Sequence, residues 1–490
     1  MYKFAVIGAG VVGGLVAREL TKYEKSVVIL EKENDVAMGQ SKANSGIVHA
    51  GYDPEPGTLK AELNVKGCNM MESICKDLDV KYSKNGTLVV GYNEEDEQEL
   101  RKLYQRGLEN GVPDMEIIDG ESVRKLEKNL SKDIIIGLYA KSAGVVCPYE
   151  LTIHSIGNAM DNGAELLVNY EVENIKKDAH WTIISKDGRT IEAENIINCA
   201  GINSDVIAKL IGDESFKIIP RRGEYILLDK DCGDMVTMTI FRTPSKMGKG
   251  VLAVKTVDGN ILLGPTSLDI GDKEDKSVTR NGLDSVLEKE LEFFDHIPMD
   301  KMITEFTGLR AHSDNPDFII NSPVADFINC AGVESPGLTS APAIALKVAE
   351  MLKEMGKLGD ERKDFCPTLA NRIRFKKMSL EEKNELIKTR PEFGRIVCRC
   401  EEVTEGEIVE AIRNNPPARD VDGVKRRTRA GMGRCQGGFC MPIVLEILSR
   451  ECGMDYDDVT KMGKESRYAF GKTKEGGDLV RPIGGAKNVK

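Results

Sequence analysis

Four cysteines near the end of this 490-residue chain stand in two short groups. "CRC" ends at Cys400 and "RCQGGFC" ends at Cys440, so Cys398, Cys400, Cys435 and Cys440 form C-x-C, 34 intervening residues, then C-x4-C. Thiolates gathered this way are soft metal ligands. Structural zinc sites favour C-x2-C pairs, whereas a two-iron cluster needs four thiolates, two on each iron. Spacing alone leaves zinc as the competing reading. The basic run Lys425, Arg426, Arg427 and Arg429 lies between the two cysteine groups. It reads as charge that offsets an anionic metal centre or docks a partner. The other eight cysteines show no ligand spacing and read as core thiols.

A second constellation opens the chain, in "YKFAVIGAGVVGGLVARELTKYEKSVVILEKE". Lys3 to Ile7 is a short apolar, β-branched run, which predicts a buried strand. Gly8, Gly10 and Gly13 complete G-x-G-x-x-G. Val11 to Leu20 has helical composition, and Lys25 to Leu30 predicts a second strand ending at Glu31. Gly8 suits the tight turn, Gly10 lets backbone approach a pyrophosphate, and Gly13 lets helix pack on strand. The helix N-terminus offers N–H groups to phosphate oxygens. Glu31, 18 residues past Gly13, is placed to accept from ribose hydroxyls. This order predicts a dinucleotide site.

The continuation "GQSKANSGIVHAGYDPEPGTLKA" indicates which dinucleotide. Glu31, Gly39, Ser41, Asn44, Ser45, Gly46, His49 and Gly51 form a pattern that resembles the D-amino-acid oxidase superfamily of flavoproteins. Within it the chain is most similar to the branch of FAD-dependent glycerol-3-phosphate and L-2-hydroxyglutarate dehydrogenases. The resemblance implies FAD, with the segment through Ser41, Ser45 and Gly46 along its pyrophosphate and passing beside the flavin ring. It also implies that the backbone at Val172 meets the adenine. The tetrapeptide "NCAG" occurs twice, at Asn198–Gly201 and Asn329–Gly332, each after an apolar run. Both read as strands ending at the ligand edge of an open sheet, so Ala200, Gly201 and Gly332 join the expected FAD contacts. The second continues as "VESPGLTSAPAIALKVAEML". Gly337, Leu338 and Thr339 open a helix to about Leu352, with Ser340 or Thr339 as its cap. By resemblance its N-terminus points at the flavin pyrimidine ring, where the helix dipole would favour an anionic reduced flavin.

The same resemblance implies the reacting groups. Arg310, in "FTGLRAHSDNPDF", matches the arginine that holds the substrate anion. Oxidation of a secondary alcohol needs a base for the hydroxyl proton, and imidazole suits that role near neutrality. Among the five histidines, His49 is expected to pass the flavin. His312 is its rival, and His154, His180 and His296 read as surface positions. Lys60, Arg221, Arg222, Arg242 and Lys255 are the further cations available to a phosphate.

At the other end, "CRCEEVTEGEIVEAIR … GMGRCQGGFCMPIV" resembles the bacterioferritin-associated-ferredoxin-like [2Fe–2S] domain. Thr404 and Glu407 predict a capping box for a helix to about Asn414. Pro442 predicts the first turn of another helix. Ser379 and Glu382 predict a third capped helix in the charge-rich stretch before the cluster segment.

These readings predict an α/β (α+β) chain. A Rossmann-like FAD domain comprises 1–83, 146–215 and 323–356, and an inserted antiparallel-sheet substrate domain comprises 84–145 and 216–322. In the latter, "VDGN" at Val257 to Asn260 predicts a hairpin, and a charged helix is expected from Asp284 to Phe294. A linker at 357–393, a small helical [2Fe–2S] domain at 394–452 and a polar tail at 453–490 follow. The net charge of −11 argues against general nucleic-acid binding. No uncharged apolar run reaches the ~18 residues of a spanning helix, and the opening is not a secretory signal. The expectation is a cytoplasmic protein with reduced thiols.

A flavin takes two electrons as hydride, whereas a [2Fe–2S] cluster carries one at a time. Both on one chain imply a dehydrogenase whose electrons leave by wire. The expected substrate is a small anionic secondary alcohol, sn-glycerol 3-phosphate, giving dihydroxyacetone phosphate. The alternatives are L-2-hydroxyglutarate, an amino or imino acid, and a non-catalytic electron-transfer subunit. "GMGRCQGG" and the "GKG" at 248–250 lack the rest of a second dinucleotide fingerprint. The expected electron acceptor is therefore a second, NAD-linked flavoprotein subunit.

Overall fold

The computed structural model describes residues 1–244, 251–369, 372–463 and 465–471. It divides into two compact units, Met1–Arg372 and Ile373–Lys490. The "GKG" at 248–250 and residues 472–490 of the polar tail lie outside the described residues.

The opening fingerprint folds as its composition dictates. Strand Tyr2–Ile7 buries its last four residues. Helix Val11–Leu20 is buried along its whole length, and its first seven residues carry no polar side chain. It packs against helices Pro148–Asp161 and Gly337–Glu354. Its one buried arginine is satisfied internally: Arg18 Nε donates to Asn158 Oδ1 (3.0 Å) and Nη2 to the Pro367 carbonyl (2.9 Å). Strands Glu165–Leu167, Val27–Leu30, Tyr2–Ile7, Thr190–Asn198 and Phe327–Ala331 lie side by side and parallel in that order. Antiparallel strands complete an eight-stranded sheet.

The twin "NCAG" ends are neighbours. Asn198 and Asn329 are in register on adjacent parallel strands, and Asn198 Nδ2 donates to Asn329 Oδ1 (2.9 Å). Both side chains are fully buried, so the repeat places equivalent residues of two neighbouring strands at one level.

The nine-stranded second sheet is antiparallel except where Thr239–Arg242 runs parallel to Thr87–Gly91. The hairpin at "VDGN" forms between Leu252–Lys255 and Ile261–Gly264, with Gly259 at φ +89°. Strands Ile218–Leu228 and Met302–Ser313 form its longest pairing. Helix Glu94–Glu109 also lies in the 84–145 segment, started by Asn93, whose side chain accepts the Asp96 N–H. Its apolar stripe is Leu100, Leu103 and Tyr104, too thin to stand out among so many charges. The expected helix at Asp284–Phe294 instead spans Arg280–Glu290, because Thr279 accepts the Gly282 N–H and starts it earlier.

That helix ends on a buried carboxyl. Glu290 is fully buried; one oxygen accepts the Gly264 N–H (3.2 Å), and the other has no hydrogen-bond partner among the described residues. Burial pushes its pKa up to about 8. The folded protein therefore holds a proton that the unfolded chain releases above about pH 4.5. This group's stabilising contribution is complete below that value and declines by about 1.4 kcal/mol per pH unit until the folded group ionises near pH 8. Urea midpoints at pH 6 and pH 8.5 should differ less for Glu290→Gln than for the parent. Equal pH dependence of the two would exclude the assignment.

In the second unit both predicted capping boxes form, Ser379 with Glu382 and Thr404 with Glu407. Pro442 sits in the first turn of helix Met441–Cys452. That helix, Glu405–Arg413 and Val421–Thr428 surround a core of Ile408, Val424 and Leu448. Helix Leu380–Thr389 belongs to this unit, whose Phe375 and Phe393 stack at 6.0 Å. Among the described residues no helix is long and apolar enough to cross a membrane.

Candidate functional site

The carboxyl edge of the parallel sheet opens into a cavity of about 750 Å³. Gly8, Gly10, Glu31, Ser41, Ser45, His49, Val172, Ala200, Gly201, Arg310, Gly337 and Leu338 all line it. Gly13, Gly46, Gly332 and Thr339 do not; they act behind the wall. Gly8 has φ +108°, and a Cβ there would collide with the Cys199 carbonyl; a Cβ at Gly13 would collide with the Gly8 carbonyl. Gly46 and Gly332 turn the chain at φ +68° and +63°.

The cavity has the donors and acceptors of a dinucleotide cradle. The N-terminus of helix Val11–Leu20 opens on it at Gly10, and Ser41 Oγ accepts the Val11 N–H (2.9 Å). Glu31 accepts from Ala9 N–H (2.8 Å) and Glu33 N–H (2.9 Å), which orient its carboxylate at the end of the second strand. Burial raises its pKa, and those N–H groups offset only part of the rise. Ribose hydroxyls are suitable further donors to such a group. Over the rim runs 270–279, whose Lys273 pairs with Asp205 (2.5 Å) and whose Glu274 pairs with Lys32 (2.9 Å). Sequence reading missed this strap, since nothing in "IGDKEDKSVT" signals where it lands.

Helix Gly337–Glu354 begins at Pro336 without a side-chain cap. The expectation that Thr339 or Ser340 caps it is corrected: both lie inside the first turn. Ser340 Oγ donates back to the Pro336 carbonyl (3.2 Å). Thr339 Oγ1 accepts the His49 N–H (2.9 Å) and donates to the Ile47 carbonyl (3.3 Å), so it staples the His49 segment to the helix. Asn64 Nδ2 holds the His49 carbonyl (2.6 Å). The imidazole packs on Phe241 at 5.9 Å, and its Nε2 is 3.4 Å from Ser335 Oγ, a residue that no motif or spacing singles out. His312 is engaged elsewhere, with Nδ1 3.0 Å from Glu334, and does not line the cavity. His154, expected on the surface, is buried and contacts the Leu78 carbonyl at 2.7 Å through Nδ1.

Arg310 faces Arg221 directly across the antiparallel ladder, and both line the cavity. Like charges opposite one another destabilise a sheet. Asp269 offsets part of this by accepting from Arg221 Nε (2.6 Å) and Nη2 (3.1 Å), and that pairing lowers the Asp269 pKa. Arg310 donates to the Thr266 carbonyl (2.9 Å) and lies 3.3 Å from Ser267 Oγ. Lys60 also lines the cavity, 3.2 Å from Glu334. Burial raises the Glu334 pKa, but Lys60 and His312 outweigh it and leave the group below its usual value. Of the other candidate cations, Arg222 is bound to Asp275 and Arg242 to Asp96 and Glu292. Neither lines the cavity, nor does Lys255.

In the second unit the four cysteines stand as two pairs. Cys400 and Cys435 sulfurs are 3.6 Å apart, and the Cys398 and Cys440 thiols hydrogen-bond each other. The Cys440 thiol, then the Gly431 and Glu401 N–H groups, pull Cys398 down to about 6, while Cys440 is held protonated by Cys398. The N–H groups of Gly437, Phe439 and Gly438 are directed at Cys435. Two thiol pairs ringed by N–H donors suit two irons with two thiolates each. Cys400 and Phe439 are exposed. Three of the basic run's four side chains are engaged within the unit: Arg426 is buried, Arg427 donates to the Pro416 and Gly423 carbonyls, and Arg429 grips Glu401. Of the cysteines expected in the core, Cys68, Cys75, Cys147, Cys199, Cys232 and Cys330 are buried, but Cys366 is exposed and Cys452 half-buried.

Comparison with known proteins gives a family for each of the two segments. The family model for FAD dependent oxidoreductases matches residues 3–351, and that for the BFD-like [2Fe-2S] binding domain matches residues 396–450. The glycerol 3-phosphate dehydrogenase of Caloramator mitchellensis is 46% identical over 477 residues, covering 97% of this chain and 99% of that protein. The mitochondrial L-2-hydroxyglutarate dehydrogenase of Dictyostelium discoideum is 30% identical, over 56% of this chain and 66% of that one. Among solved structures, dithionite-reduced L-α-glycerophosphate oxidase from Mycoplasma pneumoniae with FAD bound superposes with a TM-score of 0.70 at 29% identity, covering 75% of this chain and 98% of that one.

Proposed function

The chain belongs to the FAD-dependent oxidoreductase family, and from that premise we propose that it is a cytoplasmic dehydrogenase converting sn-glycerol 3-phosphate to dihydroxyacetone phosphate. The observation that carries this reading is the opposed pair Arg221 and Arg310 on a cavity that also holds His49. Two arginines in register on one face of the sheet, held there against their mutual repulsion, favour an anion beside them. The relative named for this substrate is similar along nearly the whole chain, cluster domain included. The hydroxyglutarate enzyme is similar over little more than half of it.

The cavity residues would hold FAD, which would supply the hydride acceptor for the alcohol carbon. His49 takes the hydroxyl proton at Nε2, with Ser335 Oγ steadying the ring. Arg310 and Arg221 hold the phosphate, and Lys60 adds positive charge at the same wall. The cradle of Gly8, Gly10, Glu31, Ser41, Ser45, Val172, Ala200, Gly201 and Leu338 fixes the cofactor, with Gly13, Gly46, Gly332 and Thr339 shaping it from behind. Cys398, Cys400, Cys435 and Cys440 would hold the cluster, which would supply one-electron transfer. The acceptor in this reading is a second, NAD-linked flavoprotein subunit, approached where Cys400 and Phe439 are exposed.

The test is anaerobic. FAD-loaded protein is mixed in turn with sn-glycerol 3-phosphate, L-2-hydroxyglutarate and amino acids while flavin absorbance is followed. Bleaching by glycerol 3-phosphate is expected. Bleaching by L-2-hydroxyglutarate alone would reassign the substrate, and bleaching by none would favour a non-catalytic electron carrier.

A further inference from the structure

The four cysteines come from stretches more than thirty residues apart in sequence, so something must hold the two groups in register. Glu401 directly follows Cys400, and Arg429 ends helix Val421–Thr428 six residues before Cys435. Their side chains are 4% and 12% exposed, and Arg429 Nε donates to Glu401 Oε2 at 2.7 Å, with Nη2 3.4 Å from Oε1. Arg429 takes the left-handed conformation, φ +73°. Its carbonyl accepts the Met432 N–H (2.9 Å), which closes the turn leading toward Cys435. At the end of that turn Gly433 lies so close to Cys400 that a Cβ would collide with the cysteine's own. On either side of the ion pair, the N–H groups of Glu401 and Gly431 are directed at the Cys398 sulfur.

A buried ion pair is poor evidence for stability, because packed apolar side chains of the same volume do as well. What a planar guanidinium gripping a carboxylate adds is fixed geometry. Here that geometry joins the residue after one ligand group to the turn before the other. We infer that Arg429 and Glu401 are a positioning pair for the iron–sulfur centre: they set the C-x-C and C-x4-C groups in register and aim two backbone N–H groups at Cys398. Partners of this kind around metal ligands govern affinity, and hydrogen bonds to cluster sulfurs govern reduction potential.

The experiment uses the full chain, purified anaerobically, with Arg429→Gln, Glu401→Gln, the double variant and Arg429→Lys. The readouts are iron and sulfide per chain, the rate of cluster loss to a chelator, and the electron paramagnetic resonance spectrum after reduction. Bound FAD is the internal control. Each Gln variant is expected to lose its cluster about 10-fold faster or more, with an altered reduced-state spectrum and FAD retained. The double variant should be no worse than the poorer single one, because the two residues act as one unit. Arg429→Lys separates geometry from charge, since it keeps the cation in the same fold but cannot make the fork. Faster loss and an altered spectrum in the Lys variant are expected. Parental behaviour of Arg429→Lys, or of Arg429→Gln, would overturn the inference.

Discussion

Replacing His49 with alanine is expected to slow flavin reduction by substrate about 10²–10⁴-fold while FAD stays bound. Hydride cannot leave the alcohol carbon without loss of the hydroxyl proton, and His49 is the imidazole on the cavity wall among the described residues. Its backbone is held independently of its ring, by Thr339 at the N–H and Asn64 at the carbonyl. Removing the ring therefore leaves the segment, and the cradle beside it, in place. Anaerobic stopped-flow reduction gives the rate, and the flavin spectrum of the purified variant gives the occupancy. His312 is the control. It is tied to Glu334 and lies off the wall, so His312→Ala should leave a much faster reaction than His49→Ala. The reverse order would move the base to His312.

The second large effect is on the metal. Cys400→Ser or Cys435→Ser should abolish the cluster, taking the chain from about two irons and two sulfides to a small fraction of that. Flavin content should remain that of the parent. The reason lies in the pairing. Cys400 and Cys435 stand together at 3.6 Å, so losing either would remove one of the two thiolates that one iron would need, and a serine hydroxyl is a much poorer ligand than a thiolate. The residues lining the dinucleotide cavity all lie in the first compact unit, and the four cysteines all lie in the second. Iron, sulfide and flavin assays on anaerobically prepared protein decide the matter. Stoichiometric zinc in the parent, or loss of FAD along with the cluster, would refute it.

The sequence by itself determined what is local. The glycine fingerprint, both capping boxes, the hairpin at Val257 to Asn260 and the first-turn Pro442 are each set by a few neighbouring residues. Their backbone preferences and hydrogen bonds do not wait on distant contacts. The cysteine spacing belongs here too, because ligand pairs close in sequence are constrained by the chain between them. Tertiary structure decided whatever depends on register or burial between remote segments. Arg221 meets Arg310 only because two long strands pair in one register out of several possible. Thr339, a plausible cap on local grounds, became a staple because strand Ile47–Val48 lies beside its helix. Arg222 and Arg242 were equal to Arg221 as cations on paper, but adjacent strand residues point to opposite faces, and acidic partners from elsewhere claim them. The basic run beside the cysteines read as an open surface, yet Arg426 is buried and Arg429 holds Glu401. A run of charge says nothing about which way a helix is turned, and that was settled by the packing of Val421 and Val424 into the small core.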